Sequence, residues 1–501
     1  MAVMTEVLVL AAVAGIAMLL SRFLLGYLRF RKLEMAIPGP PSLPLLGNAL
    51  DVMRATPDTI FQTILGLVKD CRKLSRVSIF SHMIIVIQDP ADIKELMRRP
   101  EFGNKAFFLY SLLEGAAKKG LVQLSGAEWK AHRKWLAPGF NQKVLDRFVT
   151  IFCEEANGFV DRVDTDKEVD VLDNLRKALM RDFLRTSMAA EGSQFDDDLM
   201  EAVEFIKVFT YSVNARAFNP LLWSDQIFAL TSLGRKASRM KGSFDLVVKR
   251  LIAERRKQLG NQESNHDSER ARQTLVDIML EKTDVGDGKH MTEQDIVDEF
   301  KTFMAANVDI DVRAEHGAQG VVLDAGEVQH LAYSEAVSVL GVRDVTCEDL
   351  SKLKYLDRVI KEVLRMFPPL PVVARQCYAE TELCGNIIPA GCTVGVVIYT
   401  AHRDPKYWDK PEVFDPDRFL PENCKDRHPY AYIPFSTGPR NCIGGKYAMM
   451  SMATFLATTL RAFKVLPVDD HKDLQSLADN MTFHVTARLV GGVRLKFQAR
   501  V

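Results

Sequence analysis

The sequence predicts a mainly α, mixed α+β protein carried behind a single membrane-crossing helix. Three observations predict it. Apolar residues recur at three- and four-residue spacing through the middle of the chain, period-two alternation is confined to two short stretches, and the N-terminus opens on a long apolar run. The composition agrees with a folded enzyme: 501 residues, 47% hydrophobic and 9% aromatic. Lys and Arg number 65 against 65 Asp and Glu, so the chain has no net field to gather a phosphate backbone, which excludes nucleic acid as a partner.

The apolar run covers Val7 to Leu20 and resumes through Phe23, Leu24, Leu25 and Leu28. With Arg22 snorkelling, it reaches the roughly 20 residues that a helix needs to span a bilayer. Arg22, Arg29, Arg31 and Lys32 all follow the run, while Glu6 is the sole charge before it. The positive-inside rule therefore puts the body in the cytosol and the N-terminus in the lumen. A cleaved signal peptide would need a basic segment ahead of the apolar run, and a mitochondrial presequence would be Arg-rich and amphipathic. Four prolines between Pro38 and Pro44 form a stiff spacer that can continue neither a helix nor a central strand. The chain divides into an anchor at 1–30, a basic and proline-rich hinge at 31–45, and a body at 46–501.

Within the body, Val144, Phe148, Ile151 and Phe152 share one helical face, as do Leu172, Leu175 and Leu179, and then Phe244, Val247, Val248 and Leu251. The polar stretch 261–272 and the turn cluster 284–288 read as surface loops. Alternation at Met83 to Ile87 predicts a strand. Alternation at Val493, Leu495 and Phe497 after Gly491-Gly492 predicts a terminal hairpin.

Eight cysteines, at 71, 153, 347, 377, 384, 392, 424 and 442, contain no C-x-x-C pair and so form neither a disulfide framework nor a zinc cluster. Seven read as small hydrophobes. Cys442 is different. It lies in Phe435-Ser436-Thr437-Gly438-Pro439-Arg440-Asn441-Cys442-Ile443-Gly444-Gly445, ahead of an apolar-periodic helix through Ala448, Met452, Phe455 and Leu456. Glycines on both sides let the backbone turn and approach something flat, and a helix N-terminus favours the thiolate that ligates iron.

This stretch resembles the haem-binding loop of the cytochrome P-450 superfamily, F-x-x-G-x-R-x-C-x-G, at every fixed position. The resemblance implies a fold with a large helical domain and a small β-rich domain. It also implies haem b, with Cys442 as the axial ligand of the iron, Phe435 beside the sulfur and Arg440 on a haem propionate. Glu362-Val363-Leu364-Arg365 matches the family's E-x-x-R, in which i and i+3 side chains share a face. Arg418, in Phe414-Asp415-Pro416-Asp417-Arg418-Phe419, matches the arginine that joins that pair. These three are structural. Trp129 and Arg133 match W-x-x-x-R, whose spacing presents both residues on one helical face, and the resemblance has both binding propionates. Arg375, after Pro368-Pro369-Leu370-Pro371, is similar to a further propionate arginine. The likeness runs over essentially the whole chain, and Trp129 to Glu155 and Arg427 to Val465 look most like the family 4 clan of insects and vertebrates.

One segment departs from the pattern. The family's oxygen-activating helix carries an acid followed by a threonine that together deliver protons. Here the register set by Thr302-Phe303-Met304 gives Ala306-Asn307-Val308-Asp309-Ile310-Asp311. Asp309 matches the catalytic acid, but Ile310 can neither donate nor relay a proton. Asn307 replaces a glycine, and Ala306 stands where some family 4 members carry a glutamate that esterifies haem. Beyond it, Gly317, Gly320 and Gly326 mix with Asp311, Arg313, Glu315 and Asp324 where the family has an apolar helix. Each interior glycine costs a helix about 1 kcal/mol. Preserved length with lost composition fits paired frame changes in the coding sequence, or real divergence.

The implied activity is insertion of one oxygen atom from O2 into an apolar substrate such as a fatty-acid-like lipid, hormone or xenobiotic. The electrons come from NADPH through a flavoprotein reductase, with cytochrome b5 as a further donor, at the bilayer that holds the anchor. Two alternatives follow from Ile310 and the altered segment: a haem-thiolate isomerase or dehydratase acting on hydroperoxides, and a haem- or lipid-binding protein without turnover.

Overall fold

The structure is a computed structural model that describes residues 2–56, 58–69, 74–80, 82–115, 117–165, 167–190, 195–261, 274–283, 290–307, 326–468, 481–484, 486–489 and 494–500. Twelve described helices are nine residues or longer. They are α1 (Ala2–Ala36), α2 (Ile60–Val68), α3 (Pro90–Arg98), α4 (Gly126–Leu136), α5 (Gln142–Arg162), α6 (Val171–Met188), α7 (Asp196–Phe218), α8 (Ser232–Asn261), α9 (Glu293–Ala306), α10 (Gly326–Leu340), α11 (Lys354–Met366) and α12 (Gly445–Ala462).

The helical periodicities read from the sequence place α5, α6 and α8, whose apolar faces build the main core. Val149, Phe159, Leu175, Leu179, Val248 and Leu251 are all buried there, packed with Phe455 and Leu456 of α12. Helix α9 runs through the middle of this core: every residue from Ile296 to Met304 is buried. Its start is pinned by a capping box in which Thr292 and Asp295 satisfy each other's backbone N–H groups. The loops expected at 261–272 and 284–288 lie almost wholly outside the described residues.

The strands form a second, smaller layer. Strands β1 (Leu74–Ile79) and β2 (His82–Ile87) make an antiparallel pair. They are followed in chain order by β3 (Glu168–Asp170), β4 (Val372–Gln376), β5 (Thr381–Leu383), β6 (Asn386–Ile388) and β7 (Thr393–Val397). The four-stranded sheet has the order β1-β2-β7-β4, with β2 and β7 parallel and the other pairs antiparallel. Ile85, Ile87, Val394 and Val396 join Ile93 and Leu96 of α3 in a core of their own. A helical body with a smaller sheet domain is therefore what the chain builds.

Two sequence expectations need correction. The end of the chain is not a hairpin with the segment before it. Strand β11 (Arg494–Ala499) pairs instead with β8 (Phe463–Pro467) and β3, while β9 (Met481–His484) and β10 (Thr486–Leu489) pair with each other. Alternation marks a strand's two faces but carries no information about its partner. Helix α1 also runs on to Ala36, into the stretch read as a hinge. Its end is held to β1: the Arg76 side chain donates from Nε to the Glu34 carbonyl at 2.6 Å and pairs with the Glu34 carboxylate at 3.3 Å. From Leu10 onward the apolar side chains of α1 are mostly exposed, and 13–36 is long and apolar enough to cross a membrane.

Candidate active site

The loop before α12 is built by hydrogen bonds across its base. The Cys442 N–H donates to the Phe435 carbonyl at 2.9 Å, Asn441 to Gly438 at 3.1 Å and Ser436 to Ile433 at 2.9 Å. Ser436 and Gly438 both take positive φ, +58° and +74°. Gly445, the first residue of α12, lies under the Phe435 ring, where a β-carbon would come within 3.2 Å of Cγ. Cys442 is exposed at the head of this loop, three residues ahead of the helix rather than at its first turn.

Four cations gather around it. Arg133 grips the loop itself, donating from Nη1 to the Asn441 carbonyl at 3.0 Å and from Nη2 to Asn441 Oδ1 at 2.9 Å. Burial lowers the Arg133 pKa and the Cys442 sulfur nearby opposes that shift. Arg440 is buried, lies with its guanidinium 4.4 Å from the centre of the Trp129 ring, and donates from Nη2 to the Leu124 carbonyl at 2.8 Å. Its Nη1 is buried without a hydrogen-bond partner, and burial together with Arg375 lowers its pKa to about 10. Arg375, also buried, extends from β4 and donates from Nη1 to the Ala374 carbonyl at 3.2 Å. Lys105 faces Arg375 across an isolated antiparallel bridge. Burial, then Arg440 and Arg375, push its ammonium pKa down to about 7, against a stabilising contribution from Cys442.

Trp129, Arg133, Arg375, Phe435, Arg440 and Cys442 are brought together around the loop. Sequence reasoning missed Lys105 and the Leu124 carbonyl, because neither sits in a patterned motif. The chemistry of the donor set fits a haem. Among the described residues none of the four cations has a carboxylate partner, and one buried guanidinium N–H is left over, which suits a group carrying two carboxylates of its own. Asp309 and Ile310 lie outside the described residues; α9 ends at Ala306 with Asn307 as its C-cap.

Two further cysteine environments separate Cys442 from the rest. Cys384, between β5 and β6, has Asp92 and Glu95 beside it, and burial followed by Asp92 raises its thiol pKa to about 12. That surrounding disfavours a thiolate, whereas positive charge faces Cys442. Cys153, Cys377 and Cys392 are buried, but Cys347, Cys384 and Cys424 are only half-buried, fewer buried thiols than the sequence reading held.

Behind the loop, Glu362 and Arg365 of α11 form a fully buried bidentate pair, with both contacts at 2.7 Å. Arg418 approaches the same carboxylate at 3.4 Å, and Glu362 Oε1 also accepts from the Asp415 N–H at 2.9 Å. Arg365 continues to the carbonyls of His402 and Pro411. The three residues named from the sequence meet as a bracket that holds the 402–418 segment.

Comparison with known proteins agrees with this geometry. The family model for cytochrome P450 matches residues 37–488. The chain is 30% identical over 492 residues to probable cytochrome P450 4aa1 of Drosophila melanogaster, covering 95% of this chain and 91% of that one. It is 32% identical over 470 residues to cytochrome P450 4V2 of Rattus norvegicus, covering 90% and 89%. Among solved structures, the haem domain of cytochrome P450DA superposes with a TM-score of 0.76 at 23% identity, covering 93% of this chain and 97% of that one.

Fold and relatives together define a haem-dependent monooxygenase, an oxidoreductase that works with iron. The chain belongs to the cytochrome P450 family, and the relatives named above are of family 4.

Proposed function

We propose that Cys442 would supply the thiolate that ligates a haem iron. In this reading Trp129, Arg133, Arg375 and Arg440, joined by Lys105, hold the haem propionates. The observation that carries it is the set of four cations around the Cys442 loop that have no carboxylate partner among the described residues. A bound haem supplies the oxygen-activating chemistry. The residues of this chain bind and orient: the cations neutralise the propionates, Arg133 and Lys105 favour the thiolate form of Cys442, and Phe435 packs on Gly445 to set the loop's position. Asp309 is the acid that passes protons inward.

The surroundings complete the reading. Helix α1 holds a body at 46–501 on the cytosolic face of the endoplasmic reticulum membrane, supported by its exposed apolar surface and by the basic residues that follow the apolar run. Electrons arrive from NADPH through a flavoprotein reductase, with cytochrome b5 as a second donor, and the substrate is apolar: a fatty-acid-like lipid, hormone or xenobiotic.

The test uses the full chain purified with haem. The reduced carbonyl complex of the wild type should show the red-shifted band of thiolate ligation, and Cys442→Ser should lose it while keeping its helical circular dichroism. Reductase, NADPH and isotopically labelled O2 should then place one labelled oxygen atom in a lipid product. Retention of the band by Cys442→Ser would remove Cys442 as the ligand.

A second reading, conversion of hydroperoxides without reductase, is favoured by one residue, Ile310, where a proton-relaying hydroxyl belongs. Turnover of a lipid hydroperoxide in the absence of NADPH would support it. Resequencing the transcript across the codons for Phe300 to Glu335 separates this from a frame error, since a restored threonine after Asp309 removes its basis.

A further inference from the structure

Two adjacent carboxylates of α9 do something that the haem-binding motifs do not include. Glu299 is fully buried and Oε1 lies 2.7 Å from Nδ1 of His132, itself buried on α4 between Trp129 and Arg133 in sequence and next to Arg133. Its second oxygen accepts the Leu121 N–H at 2.9 Å. Asp298, one residue earlier, accepts the Lys119 N–H at 3.1 Å. Between those two amides sits Gly120, where a β-carbon would fall 1.7 Å from the Thr302 hydroxyl, so the strap 119–124 lies directly on α9. The strap then turns, with the Gln123 and Leu124 N–H groups donating to the Gly120 carbonyl, and presents the Leu124 carbonyl to Arg440.

The consequence is geometric. One carboxylate, Glu299, fixes α4, which carries Trp129 and Arg133, and also the strap, whose Leu124 carbonyl aims Arg440. We propose that Glu299, with His132 as its partner, is a positioning residue that sets the Trp129, Arg133 and Arg440 groups against the haem propionates. This rests on the reading of those three residues as propionate ligands. A buried carboxylate fully satisfied by a backbone N–H and an imidazole locks its partners more firmly than packing alone, because leaving either partner unmade strands a polar group out of water.

The test is the rate at which the purified holoprotein gives up haem to excess apomyoglobin, read by absorbance, alongside urea unfolding. Glu299→Ala should release haem at least about tenfold faster, the range in which second-layer partners of a cofactor site act. Glu299→Gln, which can still accept from Leu121 and hydrogen-bond His132, should recover most of the loss. The comparison variant is Asp349→Asn, which weakens the pairing of the buried Asp349 with Arg343 beside Arg461, at the end of α12 far from the cysteine loop. It should lower the urea midpoint and leave haem release at the wild-type rate. If Glu299→Ala does not fold, His132→Leu carries the same expectation of faster release. Wild-type haem retention in folded Glu299→Ala or His132→Leu, or equal acceleration in Asp349→Asn, overturns the proposal. A wild type that releases haem no more slowly than an Arg133, Arg440 double alanine variant overturns the propionate reading instead.

Discussion

The Ile433 N–H donates to Nε2 of His402 at 2.8 Å, and Nδ1 of the same ring meets the Arg365 carbonyl at 3.2 Å. A single buried imidazole therefore links the start of the cysteine loop to the Glu362–Arg365 bracket. Accepting at Nε2 and donating at Nδ1 requires the neutral ring.

Burial holds the His402 pKa down at about 3, with the Arg365 and Arg403 cations adding to the effect against the carbonyl bond that opposes it. The folded pKa lies below the ordinary histidine value, so the folded state binds fewer protons than the unfolded one. Stability from this group is complete above about pH 6.5 and falls as the pH drops towards 3. His402→Gln, which keeps hydrogen-bonding capacity without titrating, should show a shallower loss of urea midpoint between about pH 7 and about pH 4.5. An unchanged slope would exclude His402 as a source of acid sensitivity.

Arg365→Leu leaves the Glu362 carboxylate buried with its main cation removed, and breaking such a pair costs about 3–5 kcal/mol. Arg418 stands farther from Glu362, so Arg418→Ala should cost less, on the order of 1–3 kcal/mol, including the carbonyl bonds it loses at Lys410 and Val413. Urea unfolding of the two variants at pH 7 checks the ranking.

Burial, with Arg440 and Arg375 nearby, pushes the Lys105 pKa down to about 7, so its charge is lost as the pH rises through neutrality. Haem affinity, measured by quenching of tryptophan fluorescence, should fall between about pH 6 and about pH 8.5. In Lys105→Met that decline should be smaller, and in Lys105→Arg, with its permanent charge, smaller again but at higher affinity.

Gly445→Ala places a β-carbon against the Phe435 ring at a distance that forces a shift of a few tenths of an ångström. Small overpacking of this kind costs about 1–3 kcal/mol. The displaced Phe435 carries the carbonyl that accepts from Cys442, so the carbonyl-complex band should move or broaden along with a lowered unfolding midpoint.

The site was legible where chemistry is written as spacing. Cys442, Arg440 and Phe435 lie in one short loop, Trp129 and Arg133 are four apart on a helix, and Glu362 and Arg365 three apart on another, so each group is close in space because it is close in sequence. Lys105, His402 and Glu299 carried no such mark. Lys105 reaches the site only through a bridge to Arg375, and His132 meets Glu299 across 167 residues. Nor did alternation at the C-terminus identify the partner of β11, since period two reports faces and not neighbours.

By itself the sequence determined the helical class, the apolar N-terminal helix, the cysteine loop and the ion-pair bracket, because each depends on local periodicity or on residues a few positions apart. Tertiary structure alone decided that the end of α1 is clamped to β1, that four cations gather with no carboxylate partner among the described residues, and that a carboxylate of α9 meets the helix bearing Trp129 and Arg133. Those arrangements come from burying apolar faces against one another, which brings distant polar groups together in surroundings where they must find partners.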